Sequence, residues 1–537
     1  MKIFNTAGPV NRPFHYKIDP LHRWDLDDIL RHIKLERYFI LHAPRQTGKT
    51  SSLLALQEYL NNSGEYFALY ANFEVGQAAR NNALEGIRGI IREIKNRLPK
   101  DAPCYNKTLE VFNNLSVLTE FSSILNELIQ TISEYSDKPV VLLVDEIDAL
   151  VGDTLITVLR QLRAGYDKRP AEFPASIILC GVRDIKDYRI QTSGQDIIAG
   201  GSAFNIKTES LRLGNFSKED VINLYSQHTE DTGQKFTEEC FDLVMDYTDG
   251  QPWLVNALAN EVTYKMEENR DRSVTITPKM LEIAKEKLIL SRQTHLDQLA
   301  DKLEEERVRK VILPLITGDD IEHSKDDADY CMDLGLIKRV KAGLEISNGI
   351  YKEVIPRELT EVGQDMFLSK YRPVWINKNG SIDVKHLITL FKEFWNENSA
   401  IWASHIAGYQ EAAPHLVTQA FLQRVANGNG FVNREYGLGK GRTDIMLKWQ
   451  YEKDGQTFYQ KIVMELKVIN QKQSYEKLKQ QALEQTAKYA KTCGTKEAHI
   501  LIFDRHKSQN WQADEPNEYE DYDDIKIEIW KLGNGEW

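Results

Sequence analysis

The chain has 537 residues, a formal net charge of -12, 42% hydrophobic and 28% charged residues. At about 100–200 residues per domain, that length predicts several domains. The longest apolar stretches, residues 140–144 and 175–182, fall well short of the roughly 18–20 needed to cross a bilayer. The first five residues open no apolar signal segment. Five cysteines lie scattered with no C-x-x-C pair, which speaks against a zinc ribbon or a disulfide framework and for a reducing, cytoplasmic setting. The acidic total hides an asymmetry. Residues 381–510 carry 18 Lys+Arg against 13 Asp+Glu, whereas residues 511–537 carry 2 against 9. Only local charge bears on contact with phosphate.

In chain order, residues 38–42, 66–71, 140–144 and 176–180 are short apolar runs, with helical periodicity between them. The pattern predicts an α/β fold with a parallel sheet covered on both faces. Residues 211–290 turn helical, opening on Ser217 as N-cap with Asp220 three residues on. Residues 291–360 read as short helices ending in a hairpin that turns at Ala342-Gly343, which suggests a winged helix. Residues 361–380 read as a linker. From residue 381 a second α/β pattern begins, with strands at 444–449, 460–468, 499–503 and 525–532. The acidic segment 514–524 reads as a solvated loop before the last strand.

Ala43-Pro44-Arg45-Gln46-Thr47-Gly48-Lys49-Thr50-Ser51 lies between a predicted strand and a predicted helix. There, backbone N–H groups and the helix dipole suit a phosphate chain. Lys49 can reach the outer phosphates and the Thr50 hydroxyl can ligate Mg²⁺. Ala43 replaces the first glycine of the usual pattern, which weakens the match without cancelling it. Asp145 and Glu146 follow the apolar run 140–144. Asp145 is placed to hold Mg²⁺ and Glu146 to orient or deprotonate a water. Arg183, after the fourth strand, can stabilise charge on the γ-phosphate. Gly250 and Pro252 mark a turn between two helices.

These segments resemble AAA-like P-loop ATPases near the STAND and origin-recognition groups, over about two-thirds of the chain. The residues Ala7-Gly8-Pro9-Val10 and His15-Tyr16 are similar to that group's base pocket. The resemblance implies ATP rather than GTP, a helical lid and then a winged helix. It leaves homo-oligomerisation open, since such ATPases often complete a site with a neighbour's Arg.

Near the C-terminus, Asp444 precedes the segment Glu465-Leu466-Lys467 by 21 residues. Strand geometry puts Glu465 and Lys467 on one face. Two carboxylates from neighbouring strands can share a divalent cation, and Lys467 can hold a water or a phosphate oxygen. Gln485 and Tyr489 lie four apart on a predicted helix, so they share a face and can meet the nucleic-acid backbone or Lys467. The set resembles the PD-(D/E)XK nuclease superfamily in its RecB-like branch, with Glu411, preferred over Glu435, as an extra acidic metal ligand. Thr443 stands before Asp444 where the superfamily's name has Pro.

The expected whole is an ATPase core (1–210), a helical lid (211–290), a winged helix (291–360), a linker (361–380) and a nuclease-like domain (381–537). Its expected function is a Mg²⁺-dependent nuclease, also served by Mn²⁺, that acts on DNA (RNA is left open) under ATP control. By resemblance alone it serves in defence against foreign DNA. The alternative is a nucleotide-switched DNA-binding or signalling ATPase with an inactive nuclease fold.

Overall fold

The computed structural model describes the chain apart from residues 1, 11–12, 116–121, 183–188, 192–196, 200–206, 292–293, 304, 318–323, 342, 360–374, 406–412, 427–429, 435–443, 454–455, 470–473, 505–517 and 533–537. It divides into two compact units, one of Met1–Ala284 with Met332–Gly335, the other of Lys285–Cys331 with Leu336–Trp537.

The first unit is built on five parallel strands: β1 (Tyr38–His42), β2 (Phe67–Asn72), β3 (Val140–Asp145), β4 (Ser176–Gly181) and, after a small antiparallel ribbon of β5 (Arg189–Gln191) and β6 (Ile197–Ala199), β7 (Lys207–Arg212). Their spatial order is β2-β3-β4-β1-β7. Continuous apolar runs suit this sheet because both faces are covered. Along β1, Tyr38 and Ile40 enter one core while Phe39 and Leu41 enter the other. Helices α1 (Leu26–Lys34) and α2 (Lys49–Ser63) cover the second face. Helices α3 (Ala83–Arg97), α4 (Tyr105–Leu115), α5 (Ile124–Glu134) and α6 (Gly152–Ala164) cover the first. The edge strand β7 has no apolar run (Lys-Thr-Glu-Ser-Leu-Arg), which is why periodicity does not reveal it.

Three helices follow: α7 (Lys218–Thr232), α8 (Glu239–Thr248) and α9 (Pro252–Asn260). Ser217 and Asp220 form the reciprocal capping box expected at the start of α7. Between α8 and α9, Gly250 has φ +69°, and a Cβ there would lie 1.9 Å from the Phe216 carbonyl oxygen. Only glycine fits this turn.

The second unit opens within α10 (Pro278–Leu290) and continues through α11 (Thr294–Leu303), α12 (Glu306–Thr317) and most of α13 (Lys325–Asp333). The hairpin of β8 (Ile337–Val340) and β9 (Gly343–Ile346) and helix α14 (Gly349–Leu359) come next. Residues 375–382, at the end of the expected linker, dock on the C-terminal sheet. Gly380 accepts from Trp449 Nε1 at 2.9 Å, and the Ile382 backbone exchanges hydrogen bonds with the Gln460 amide.

After α15 (Val384–His405) and α16 (Ala413–Ala426), the C-terminal sheet comprises β10 (Gly430–Arg434), β11 (Asp444–Lys453), β12 (Gln456–Ile469), β13 (Glu497–Asp504), β14 (Glu518–Tyr522) and β15 (Ile525–Leu532). The order is β10-β11-β12-β13-β15-β14, with β12, β13 and β15 parallel and the other pairings antiparallel. Helix α17 (Tyr475–Cys493) packs its Leu478, Ala482, Leu483 and Ala487 against one face. Phe391, Trp395, Phe421 and Phe503 pack together as an aromatic cluster. The acidic segment is not simply a solvated loop: residues 518–522 form the edge strand β14. There Glu518 binds Lys479 and Lys531, and Glu520 binds Lys479 at 2.6 Å. Backbone pairing and three charged contacts offset the solvation these side chains give up.

Among the described residues, no helix is long and apolar enough to cross a membrane.

Candidate functional sites

The loop from β1 to α2 leaves the carboxyl end of the sheet, where α/β proteins place their ligands. Within it, Gln46 and Gly48 take positive φ (56° and 90°), whereas Ala43 does not. Alanine therefore serves where the usual pattern has glycine. The Lys49 ammonium donates to the carbonyls of Ala43 (3.1 Å) and Pro44 (3.2 Å), and Thr47 Oγ1 donates to Pro44 at 2.7 Å. Lys49 is buried among these oxygens, a cation held over the loop.

At the end of β3, Asp145 is fully buried and gathers three donors. Thr50 Oγ1 reaches its Oδ2 at 2.6 Å, Tyr70 OH the same oxygen at 3.0 Å, and the Glu146 N–H its Oδ1 at 3.0 Å. Glu146 takes φ 53°. Burial pushes its carboxyl above the usual range, with Lys49 pulling the other way. A hydroxyl and a carboxylate at this separation are a donor set that suits Mg²⁺ beside a nucleotide.

A cavity of about 270 Å³ opens against the loop. Ala7–Val10 and Tyr16 line it, as do Gly48–Ser51, Glu146 and Trp253. The Val10 N–H donates to Ser51 Oγ at 3.0 Å, and Trp253 Nε1 to the Thr6 carbonyl at 2.9 Å. The N-terminal strap is thus tied both to the loop and to α9. Gln251 Nε2 faces the carbonyls of Arg45 and Gln46, each at 3.5 Å.

One lining residue carries no sequence signal. Arg23, in the turn Pro20–Arg23, donates to the carbonyls of Thr47 and Gly214 and lies over the Phe216 ring at 5.0 Å. Burial pulls its pKa down to about 10, against the pull of Asp220. It bridges the phosphate loop and the approach to α7, a role that depends on tertiary contact. Tyr70, outside the cavity lining, also carries no sequence signal: it is a strand tyrosine whose hydroxyl meets Asp145. Arg183 lies outside the described residues.

In the second unit, the antiparallel register of β11 and β12 sets Asp444 directly opposite Glu465. Glu465 is 0% exposed. Lys467 Nζ stands 2.5 Å from Glu465 Oε1 and donates to Gln485 Oε1 at 2.8 Å. Strand spacing brings the first pair together, and α17, lying across β12, supplies the glutamine. Tyr489, one turn further along, is 3% exposed and belongs to the core between α17 and the sheet. Glu411 and Glu435 lie outside the described residues.

Residues 32–188 match the AAA domain family, and residues 415–503 match the PD-(D/E)XK nuclease superfamily. The chain joins a P-loop ATPase domain to a PD-(D/E)XK domain. The ATPase match contains the phosphate loop, Asp145 and Glu146. The PD-(D/E)XK match contains Asp444, Glu465, Lys467, Gln485 and Tyr489. Among solved structures, the chain is similar to the Walker-type ATPase PABY2304 of Pyrococcus abyssi, at 14% identity over 66% of this chain and 99% of that one, with a TM-score of 0.42. It is similar to Cdc6p of Pyrobaculum aerophilum at 16% identity, over 62% and 92%, with a TM-score of 0.34. The RuvB Holliday junction branch migration motor of Thermotoga maritima follows at 12%, over 61% and 94%, with a TM-score of 0.31. No curated protein matches the chain.

Proposed function

We propose that this chain is an ATP-hydrolysing protein whose N-terminal domain gates a divalent-metal-dependent nuclease acting on DNA. The observation that carries the reading is the register of Asp444 against Glu465, with Lys467 held at 2.5 Å from the buried Glu465 carboxylate. A carboxylate kept fully out of water is costly unless a cation shares it.

In the ATPase domain, Lys49 would exchange the loop carbonyls for the outer phosphates of ATP, and Thr50 and Asp145 would hold its Mg²⁺. Glu146 takes a proton from the attacking water. Arg183 adds positive charge on the γ-phosphate side.

In the PD-(D/E)XK domain, Asp444 and Glu465 hold the divalent cation, with Glu411 as a further acidic ligand. Bound there, Mg²⁺ or Mn²⁺ would supply Lewis acidity toward a water and a phosphodiester. Lys467 orients the attacking water or neutralises the phosphate oxygens. Gln485 holds the Lys467 ammonium in place, and Tyr489 braces the helix that carries Gln485. The excess of basic residues over 381–510 supports a polyanionic substrate. The helices and hairpin within residues 291–360 are read as a winged helix that assists DNA contact. On this reading the target is foreign DNA, and a homo-oligomer is the assembled form.

The test is supercoiled plasmid incubated with Mg²⁺ or Mn²⁺, with and without ATP, using wild type, Lys49→Ala and Glu465→Gln. The reading expects nicking by wild type, its loss in Glu465→Gln, and a changed ATP response in Lys49→Ala. ATP hydrolysis with no nicking under either metal would overturn it in favour of a nucleotide-switched binding protein.

A further inference from the structure

Away from both sites, a histidine and two carboxylates converge where α1 meets the edge strand β7. Asp28 and His32 are four residues apart on α1 and so share one face. Glu209 comes from β7, and the pairing of β7 with β1 explains its aim. Tyr38 pairs with Lys207 but Ile40 pairs with Ser210, so β7 carries one inserted residue between the two pairs. Such a bulge turns a side chain off the regular strand direction. His32 Nε2 lies 3.0 Å from Glu209 Oε2 and 3.4 Å from Asp28 Oδ2. One ligand atom from each residue falls within 4.8 Å of the other two.

The imidazole is the unusual member. His32 is 0% exposed, and neither ring nitrogen makes a hydrogen bond. A buried polar ring left this way is costly. Its Nε2 is aimed between two carboxylate oxygens. The other oxygen of Asp28 is engaged by Arg31 Nη1 at 3.3 Å, which fixes the carboxylate with Oδ2 inward. The Glu209 side chain is 52% exposed, so the cluster is open to solvent on one side.

We propose that Asp28, His32 and Glu209 bind one divalent cation of the zinc class, with a water in the fourth position. Tetrahedral zinc takes imidazole nitrogen at about 2.0–2.1 Å and carboxylate oxygen at about 2.0–2.2 Å, which puts ligand atoms roughly 3.3 Å apart. The two separations from Nε2 bracket that value. One nitrogen with two oxygens favours a borderline metal over Ca²⁺ or Mg²⁺. The cation fastens α1 to the strand that leads to Gly214, whose carbonyl Arg23 also holds.

The experiment uses the full chain carrying Glu465→Gln, without ATP, so that neither described site contributes a strong metal site. After treatment with chelator and buffer exchange, Zn²⁺ is titrated calorimetrically and bound metal is counted by mass spectrometry. One Zn²⁺ per chain is expected. Adding Glu209→Gln, at a half-exposed position that leaves the core intact, should weaken binding at least about tenfold, and Asp28→Asn should do the same. Zn²⁺ should also raise the melting temperature of the parent and not of the Glu209→Gln form. Absence of stoichiometric uptake would overturn the proposal. Uptake unchanged by both substitutions would overturn it equally.

Discussion

The Lys467 ammonium donates to Gln485 Oε1 at 2.8 Å, a contact between a strand and a helix 18 residues further along. It leaves the lysine with two partners, because Glu465 Oε1 stands 2.5 Å away on the same strand face. A flexible four-carbon side chain is thereby restricted to one place. In the proposed reaction that place is beside the scissile phosphate.

Gln485→Ala should therefore slow DNA nicking about tenfold without changing ATP hydrolysis, because the lysine remains but loses its holder. Lys467→Ala should cost about a hundredfold or more, the scale of removing a positioned charge from a transition state. Single-turnover nicking rates decide the order. Equal losses in the two variants would deny Gln485 a positioning role.

Glu146→Gln should retain ATP binding and lose hydrolysis, whereas Lys49→Ala should lose both. Burial holds the Glu146 carboxyl above its ordinary pKa, with Lys49 opposing. A proton acceptor must be ionised, so activity falls as pH drops through that raised value. The acid limb of kcat/KM for ATP, which reports the free enzyme, should lie above the ordinary carboxylate range. A limb near the value of an unperturbed glutamate would contradict the assignment.

Glu518 makes a pH-dependent contribution of the opposite kind. Partial burial pushes its pKa up, but hydrogen bonds and charge from Lys531 and Lys479 outweigh this and hold it at about 2. A depressed carboxylate stabilises the fold above its unfolded pKa of about 4.3 and loses that contribution as pH falls toward the folded value. The gap in melting temperature between wild type and Glu518→Gln should be full at pH 5.5 and shrink steadily below about pH 4. A gap that does not vary with pH would show that the pairing contributes no stability.

Gly250→Ala should destabilise the first unit by about 3 kcal/mol, from left-handed strain plus displacement of the Phe216 carbonyl. Denaturation followed by the fluorescence of Trp253, two residues beyond the turn, reports it. An unchanged midpoint would mean that the α7 and α8–α9 segments separate at no cost.

The parallel sheet, the phosphate loop, the β3 carboxylates and the Glu465-Lys467 pair were legible in the amino-acid order. Each depends on local rules: burial on both faces, a helix start beside a loop, alternation along a strand. The edge strand β7 was not legible, because a strand paired on one side only is less enclosed and needs no continuous apolar run. Nor was β14, whose acidic residues look like a loop until Lys479 and Lys531 are brought against them. Arg23 beneath the phosphate loop and Glu209 beside His32 were decided by tertiary structure alone, and tertiary structure set Gln485 on Lys467, one of the two partners its helix position allowed. Those partners come from separate elements, and only the packing of one element on another sets their distance.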